Sequence, residues 1–323
     1  MNNDNKVEVL KHLSPEMLEV LRYQDEHSKD AFNTVGLSYP EIRANYVAER
    51  RFWNEGGPVM HSTRDVMVDV GGYEILTRIH DPNGREKSPV IFFIHGGGFT
   101  VGSVDTHDRM MRVLASHSGC AVIGIDYSLS PEAKFPKPIH ECVAVTEYYR
   151  ANAAQYGLDP DRIGYAGDSG GAHLSMAAAL WQRDHLEDTS YIKGLLLYYG
   201  MYGMGDSKSM RLYGGPWDGL TEEDLQFYNA MYLEKPEDAK SPYYCFYNND
   251  LTTRMPACFI ASCEFDPLVD DSETLYTILN EKGVPCAYKM YPGTIHAFLH
   301  YSRMMKAAEE ALTEGAAYFK GLL

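Results

Sequence analysis

Four groups of residues in this chain have the types and spacing to do chemistry. The first centres on Ser169 in G-Y-A-G-D-S-G-G-A-H-L, Gly164 to Leu174. A serine with glycines two positions before and after it can occupy a sharp strand-to-helix turn, its hydroxyl exposed and a helix N-terminus behind it. The pattern alone is weak, since about one random chain in ten of this length carries Gly-x-Ser-x-Gly at average usage. Three readings compete: a nucleophile elbow, the G-D-S-G-G of a chymotrypsin-like protease, and a glycine-rich turn without chemistry.

The second group is H-G-G-G-F, His95 to Phe99, directly after an apolar run. Successive glycines let backbone N–H groups converge on a developing oxyanion. The candidate oxyanion loop is His95, Gly96, Gly97 and Gly98, with a further donor at Gly170, the residue after the serine. A phosphate cradle is the alternative, but no lysine follows at P-loop spacing and the full dinucleotide pattern is missing. The third and fourth groups are Asp266 in E-F-D-P-L-V-D-D and His296 in Y-P-G-T-I-H-A-F. Each follows a predicted strand, at the edge where open α/β sheets bind ligands. A serine that attacks, a histidine that takes its proton and an aspartate that fixes the imidazole tautomer form a catalytic triad. Glu264, Asp270 and Asp271 are rival carboxylates, the last two read as surface or helix N-terminal charges. His173 and His300 are rival bases, read as surface or satisfied core residues.

The elements that must position these groups follow from periodicity. Residues 1 to about 60 read as amphipathic helices. Ser14 is an N-cap before Pro15 and Glu16, with Met17, Leu18 and Leu21 on one face. A second helix runs from Pro40 to Trp53. V-M-V-D-V, Gly71-Gly72 and Y-E-I-L-T-R-I-H read as an antiparallel hairpin. Strands and helices then alternate: strands at Pro89–His95, Cys120–Tyr127, Arg162–Gly167, Tyr191–Tyr199, Ala257–Cys263 and Pro285–Tyr291, and a last helix from about Tyr301 to Phe319. This βα alternation predicts a mostly parallel sheet with helices on both faces. Against it, an all-β protease does not fit. Gly200 to Met255 is too long for an ordinary connection and reads as an insertion over the sheet, with a helix at Glu222–Tyr232.

Composition narrows the partners. A net charge of −16 on 323 residues repels nucleic acid and anionic lipid, and favours a neutral or cationic small molecule over an acidic one. Six scattered cysteines without Cys-x-x-Cys read as buried free thiols. The first residues lack a basic start and an apolar core, and no run approaches the ~20 residues of a membrane span. The expectation is a cytoplasmic protein without metal or cofactor.

H-G-G-G-F, D-Y-S-L-S-P-E-A-K-F-P (Asp126 to Pro136), G-D-S-G-G, D-P-L-x-D and Y-P-G-x-x-H-x-F together resemble the hormone-sensitive-lipase branch of the α/β-hydrolases, the GDXG lipolytic family. Within it, R-R-F-W-N (Arg50 to Asn54), S-V-D-T-H-D-R (Ser103 to Arg109), G-G-P-W-D-G-L-T (Gly214 to Thr221) and S-P-Y-Y-C (Ser241 to Cys245) are similar to the acetyl esterases of enterobacteria. One departure stands out: Gly170 occupies the position where the family usually has alanine. The resemblance implies an α/β-hydrolase fold in one domain over 1–323, with cap elements from about 1–60 and about 200–250. It implies hydrolysis of short acyl esters, acetyl included, without a cofactor. It also implies contact with a maltose-system transcriptional activator and an α-galactosidase, and leaves room for a homo-oligomer. Tyr127, Pro131 and Glu132 are expected to shape a loop beside the serine and histidine. An amidase or lactonase using the same triad, and a catalytically weak ligand-binding regulator, are the alternatives.

Overall fold

The computed structural model describes residues 5–28, 35–215 and 219–323. Parts of the expected cap (1–4, 29–34) and of the G-G-P-W-D-G-L-T string (Pro216, Trp217, Asp218) lie outside the described residues. The chain opens with helices α1 (Pro15–His27) and α2 (Tyr39–Asn54), followed by strands β1 (Ser62–Asp69), β2 (Glu74–Asp81) and β3 (Ser88–Ile94). Next come α3 (Asp108–Ser118), β4 (Ala121–Ile125), α4 (Lys137–Ala151), the short α5 (Ala153–Tyr156), β5 (Leu158–Asp168), α6 (Gly170–His185) and β6 (Ile192–Tyr198). The remainder is α7 (Lys208–Leu212), α8 (Glu222–Tyr232), β7 (Ala257–Phe265), α9 (Val269–Glu281), β8 (Cys286–Ile295) and α10 (Lys306–Lys320).

The strands form one eight-stranded sheet in the order β1-β2-β4-β3-β5-β6-β7-β8. β1 and β2 pair antiparallel, and β2 pairs antiparallel with β4; from β4 to β8 every neighbour is parallel. The hairpin closes where the Asp69 carboxylate accepts the N–H groups of Gly71 and Gly72 at 2.8 and 2.9 Å. β3 is buried along its whole length, as a strand covered on both faces must be. Its side chains alternate between two cores. Val90, Phe92 and Ile94 join Ile139, Val145, Leu174, Met176 and Leu275 from α4, α6 and α9. Ile91 and Phe93 join Met111, Leu114, Ala308 and Leu312 from α3 and α10.

Local chemistry explains the helix starts. Ser14 Oγ accepts the Met17 N–H at 3.1 Å with Pro15 at the first helical position. Ser38 and Glu41 cap α2, the glutamate accepting the Ser38 N–H at 2.8 Å. Thr221 and Asp224 do the same for α8. The buried face of α1 differs from the expected one at Leu18: Met17 and Leu21 pack inward with Val20 and Leu13, whereas Leu18 is 41% exposed. The inward stripe advances by three and four residues, and Leu18 lies one step off it. The last helix also differs. A 3₁₀ turn at Phe298–Tyr301 precedes α10, and the extended backbone of Met305 separates them. There Glu16 of α1 accepts the Lys306 N–H at 2.9 Å and caps the new start.

The register of α1 is testable by urea unfolding. Met17→Ala should cost about 2–5 kcal/mol, the range for a buried methionine. Leu18→Ala, on the solvent side, should change stability by less than about 0.5 kcal/mol. Equal losses would mean that α1 is rotated from this packing.

Candidate active site

The elbow is built where β5 ends and α6 begins. Ser169 adopts φ +52° and ψ −121°, a conformation that a residue with a Cβ resists. Its N–H donates to Tyr198 O of β6 at 2.9 Å. The flanking glycines permit the turn by close approach: a Cβ on Gly171 would stand 1.9 Å from Ile94 O, and one on Gly167 would stand 2.4 Å from the Gly171 carbonyl carbon. α6 therefore starts directly against the end of β3. At Gly170 the space is tight but not closed, since a Cβ there would meet the Phe99 ring at 3.3 Å.

β7 and β8 are adjacent, Phe265 opposite Ile295, so their ends bring Asp266 and His296 together. Ser169 Oγ lies 2.8 Å from His296 Nε2, and His296 Nδ1 lies 2.7 Å from Asp266 Oδ2. The other Asp266 oxygen accepts the Leu268 N–H at 2.8 Å, and the carboxylate is fully buried. With Nδ1–H donating to Asp266, Nε2 is left as an acceptor for the serine hydroxyl proton. Asp266 also acts on its neighbour: burial and that carboxylate push the Cys263 thiol well above its usual value. This arrangement can move a proton off Ser169 and hold the resulting imidazolium.

The loop from His95 to Phe99, the candidate oxyanion loop, leaves the end of β3 beside β5, where Ile94 pairs with Gly167. Two expected donors are corrected. The Gly96 N–H is consumed by Asp168 Oδ1 at 2.9 Å, and the His95 ring donates from Nδ1 to Gly96 O at 2.9 Å. His95 stacks on Tyr127 with ring centroids 4.4 Å apart, and burial with the nearby His107 pushes its imidazole down to about 3. The two hydrogen bonds brace the loop and take up the Gly96 N–H and the His95 Nδ1–H. Among the described residues no acceptor engages the N–H groups of Gly97, Gly98 or Gly170. Gly97, at φ +116°, has a backbone that a side chain would not tolerate.

Asp168 is the site residue that the motif reading passed over, although it stands inside G-D-S-G-G. It is buried, it anchors Gly96, its Oδ1 lies 3.2 Å from His107 Nε2, and it accepts from the Tyr199 hydroxyl at 3.4 Å. Burial alone would raise its carboxyl, but His107 and the Gly96 N–H outweigh that and hold it below the usual range. His107, Asp168 and His300 are the one group among the described residues with metal-ligand atoms all within 4.8 Å.

The rivals have other partners. Glu264 accepts the Gly293 N–H at 2.7 Å, and Asp270 accepts the Ser209 N–H at 2.7 Å. Asp271 is not a surface charge: it is 1% exposed and accepts the Tyr202 and Met204 N–H groups at 3.1 and 3.2 Å and the Tyr247 hydroxyl at 3.1 Å. It faces the start of the insertion, which its helix start alone does not reveal. His173 donates to Met201 O at 2.9 Å and burial lowers its imidazole to about 4. His300 packs edge-on against His107 at 4.6 Å. Tyr127 donates to His95 O at 3.0 Å, and Ser130 N–H donates to Phe99 O at 2.8 Å, so this loop does flank the oxyanion loop. Glu132 pairs with Arg43 of α2 at 2.6 Å, while Arg43 also donates to Thr100 O and Ser130 O at 2.9 and 2.8 Å.

Comparison with known proteins bears on the fold and the family. A family profile described as alpha/beta hydrolase fold matches residues 91–300. A hyperthermophilic esterase from the archaeon Pyrobaculum calidifontis is 30% identical, with 96% of this chain and 98% of that one covered and a TM-score of 0.89. EstE1, a thermophilic carboxylesterase cloned from a metagenomic library, is 29% identical over 90% of this chain and 99% of its own, at TM-score 0.85. An ester-hydrolase from the metagenome of Lake Arreo is 26% identical over 96% and 98%, at TM-score 0.88.

The buried Asp271 gives a pH test. Burial raises its carboxyl to about 7 from 3.8. Between those values the native state binds more protons than the unfolded state, so this group lowers stability as pH rises through the window. Asp271→Asn, which keeps a neutral side chain there, should flatten that decline between about pH 4 and pH 7 in urea titrations. A variant with an unchanged pH slope would show that Asp271 titrates as an ordinary carboxylate.

Proposed function

The chain belongs to the alpha/beta hydrolase fold family, in its hormone-sensitive-lipase branch, and it is a carboxylesterase-type serine hydrolase; from that premise we propose that it cleaves short-chain acyl esters, acetyl esters among them. The observation that carries the reading is the relay Ser169–His296–Asp266, with contacts of 2.8 and 2.7 Å, next to the open N–H groups of Gly97, Gly98 and Gly170. In this reading Ser169 Oγ attacks the ester carbonyl carbon and its proton passes to His296 Nε2. The carbonyl oxygen takes the negative charge among the three N–H groups. His296 then protonates the departing alcohol, leaving an acyl-serine. Water, deprotonated by the same imidazole, releases the acid and restores Ser169. Asp266 stays ionised throughout and steadies the imidazolium.

Aromatic packing beside the serine supports the preference for small acyl groups. Phe99 touches the space next to Gly170 and stacks on Tyr232 with centroids 3.9 Å apart, and Phe135 meets Tyr232 edge-on at 5.9 Å. Such a wall ends the gain of about 0.8 kcal/mol per buried methylene once the chain reaches it. A cytoplasmic setting belongs to the proposal, supported by six cysteines that are all free thiols. No helix among the described residues is long and apolar enough to cross a membrane. The α1–α2 region and the insertion act in this reading as a cap, supported by the Arg43 bonds to Thr100 and Ser130. Likeness to enterobacterial acetyl esterases, and with it contact with a maltose-system activator and an α-galactosidase, is proposed on sequence resemblance alone.

Ser169→Ala should lower turnover of p-nitrophenyl acetate by about 10⁶-fold with the fold unchanged. Asp266→Asn should lower kcat by about 10⁴, and Asp270→Asn far less. Across p-nitrophenyl esters from acetate to palmitate, kcat/KM should peak at roughly two to six carbons and then fall. Activity of Ser169→Ala near the parent level, or a profile still rising past about ten carbons, contradicts the reading.

A further inference from the structure

The oxyanion loop has a problem that the triad does not. Its donors sit on consecutive glycines, which have no side chains to hold them, yet preorganised donors are what the chemistry requires. Each end of the loop is tied. Gly96 is bonded to Asp168 at 2.9 Å, and Phe99 O accepts the Ser130 N–H at 2.8 Å. Between these ties the outer face of the loop is covered by α8. A Cβ built on Gly98 would lie 2.3 to 2.4 Å from three ring carbons of Tyr228, so the ring rests against the Gly98 backbone. Gly98 has φ +57°, which already disfavours a side chain, and the tyrosine ring fills the space that one would take. One helical turn further on, Tyr232 stacks on Phe99 at 3.9 Å and 11°. Successive residues of the loop thus meet successive turns of one helix.

α8 is itself held independently of the loop. Lys134 Nζ donates to the carbonyls of Ala230, Met231 and Leu233 at 3.3, 2.9 and 3.1 Å, at the negative end of the helix. Phe135 N–H donates to Tyr232 O at 2.8 Å, and Thr221 caps the other end. A rigid element pressed on a loop without side chains restricts where its N–H groups can point.

We propose that Tyr228 and Tyr232 of α8 are positioning residues that clamp Gly98 and Phe99, so that the insertion forms the outer wall of the oxyanion site and is not a lid alone. The inference rests on the ester-hydrolase reading above. A displacement of about 1 Å is enough to cost about 10²-fold in rate, and an interaction made only in the transition state is lost from kcat and not from KM.

The test compares Tyr228→Leu, which removes the flat ring, with Tyr228→Phe, which keeps it. Two ligands of equal chain length separate the effects. A trifluoromethyl ketone accepts Ser169 Oγ at its carbonyl carbon: the new C–O bond forms, the carbonyl pair moves to oxygen, and the serine proton goes to His296. The matching methyl ketone binds without forming that oxyanion. Tyr228→Leu should lower kcat for p-nitrophenyl acetate by about 10- to 100-fold with KM within about threefold. It should weaken the trifluoromethyl ketone by the same factor and leave the methyl ketone unchanged, while Tyr228→Phe restores most of the rate. A raised KM with both ketones weakened equally would make Tyr228 a binding wall and overturn the clamp, as would parent-like values in Tyr228→Leu. If Tyr228→Leu shows no cooperative melting, Tyr228→Met is read by the same criteria. Retained turnover in Ser169→Ala would instead strike the ester-hydrolase reading itself.

Discussion

The constraint on which the rest depends is the contact between α6 and the end of β3. With 1.9 Å between Ile94 O and any Cβ at position 171, only glycine allows the helix to begin there. That approach bends the chain sharply enough to set Ser169 at φ +52°. The strain of such a conformation, of order 1–3 kcal/mol, persists because β3, β5 and β6 over-determine it. Leu174 and Met176 of α6 are fully buried in the core below, and the Ser169 N–H is fixed to Tyr198 O.

From that contact the two halves of the site are linked. β3 delivers the His95–Phe99 loop and β5 delivers Ser169, and Asp168 joins them through the Gly96 N–H, bridging 72 positions of sequence. A buried carboxylate with no partner would be costly, and here its partners are a backbone N–H, His107 and Tyr199. The residue before Ser169 therefore contributes position, and the residues around it neutralise the cost of its burial. β7 and β8 bring Asp266 and His296 from the other side, with the carboxylate of Asp266 engaged on both oxygens.

The same economy of connection extends outward. Arg43 of α2 ties together the carbonyls of Thr100 and Ser130, the loops on either side of Phe99. Asp271, five residues after Asp266, holds the backbone of Tyr202 and Met204 where the insertion leaves the sheet. α8 then returns over the oxyanion loop. Elements far apart in the chain thus converge on a few glycines that cannot position themselves.

Much of this was legible in the sequence, wherever the determinant is local. The continuous apolar run of β3, the Gly71-Gly72 hairpin, the caps at Ser14 and the span Glu222–Tyr232 each depend on residues within a turn or two of one another. The order of Ser169, Asp266 and His296, each after a strand, is also a local pattern repeated along the chain. Choices among equivalent groups belonged to tertiary structure. Helical spacing admits either Leu18 or Val20 beside Met17, and only the docking of α1 on the sheet buries Val20. Acidic residues at the start of α9 look alike in sequence, yet Asp271 is buried against Tyr202 and Met204 while the less buried Asp270 meets Ser209. H-G-G-G offers several equivalent N–H groups; Asp168 takes that of Gly96, and Tyr228 comes to rest on Gly98. Hydrogen bonds and packing across the sheet carry no trace in local spacing, because their partners are chosen by which strands become neighbours.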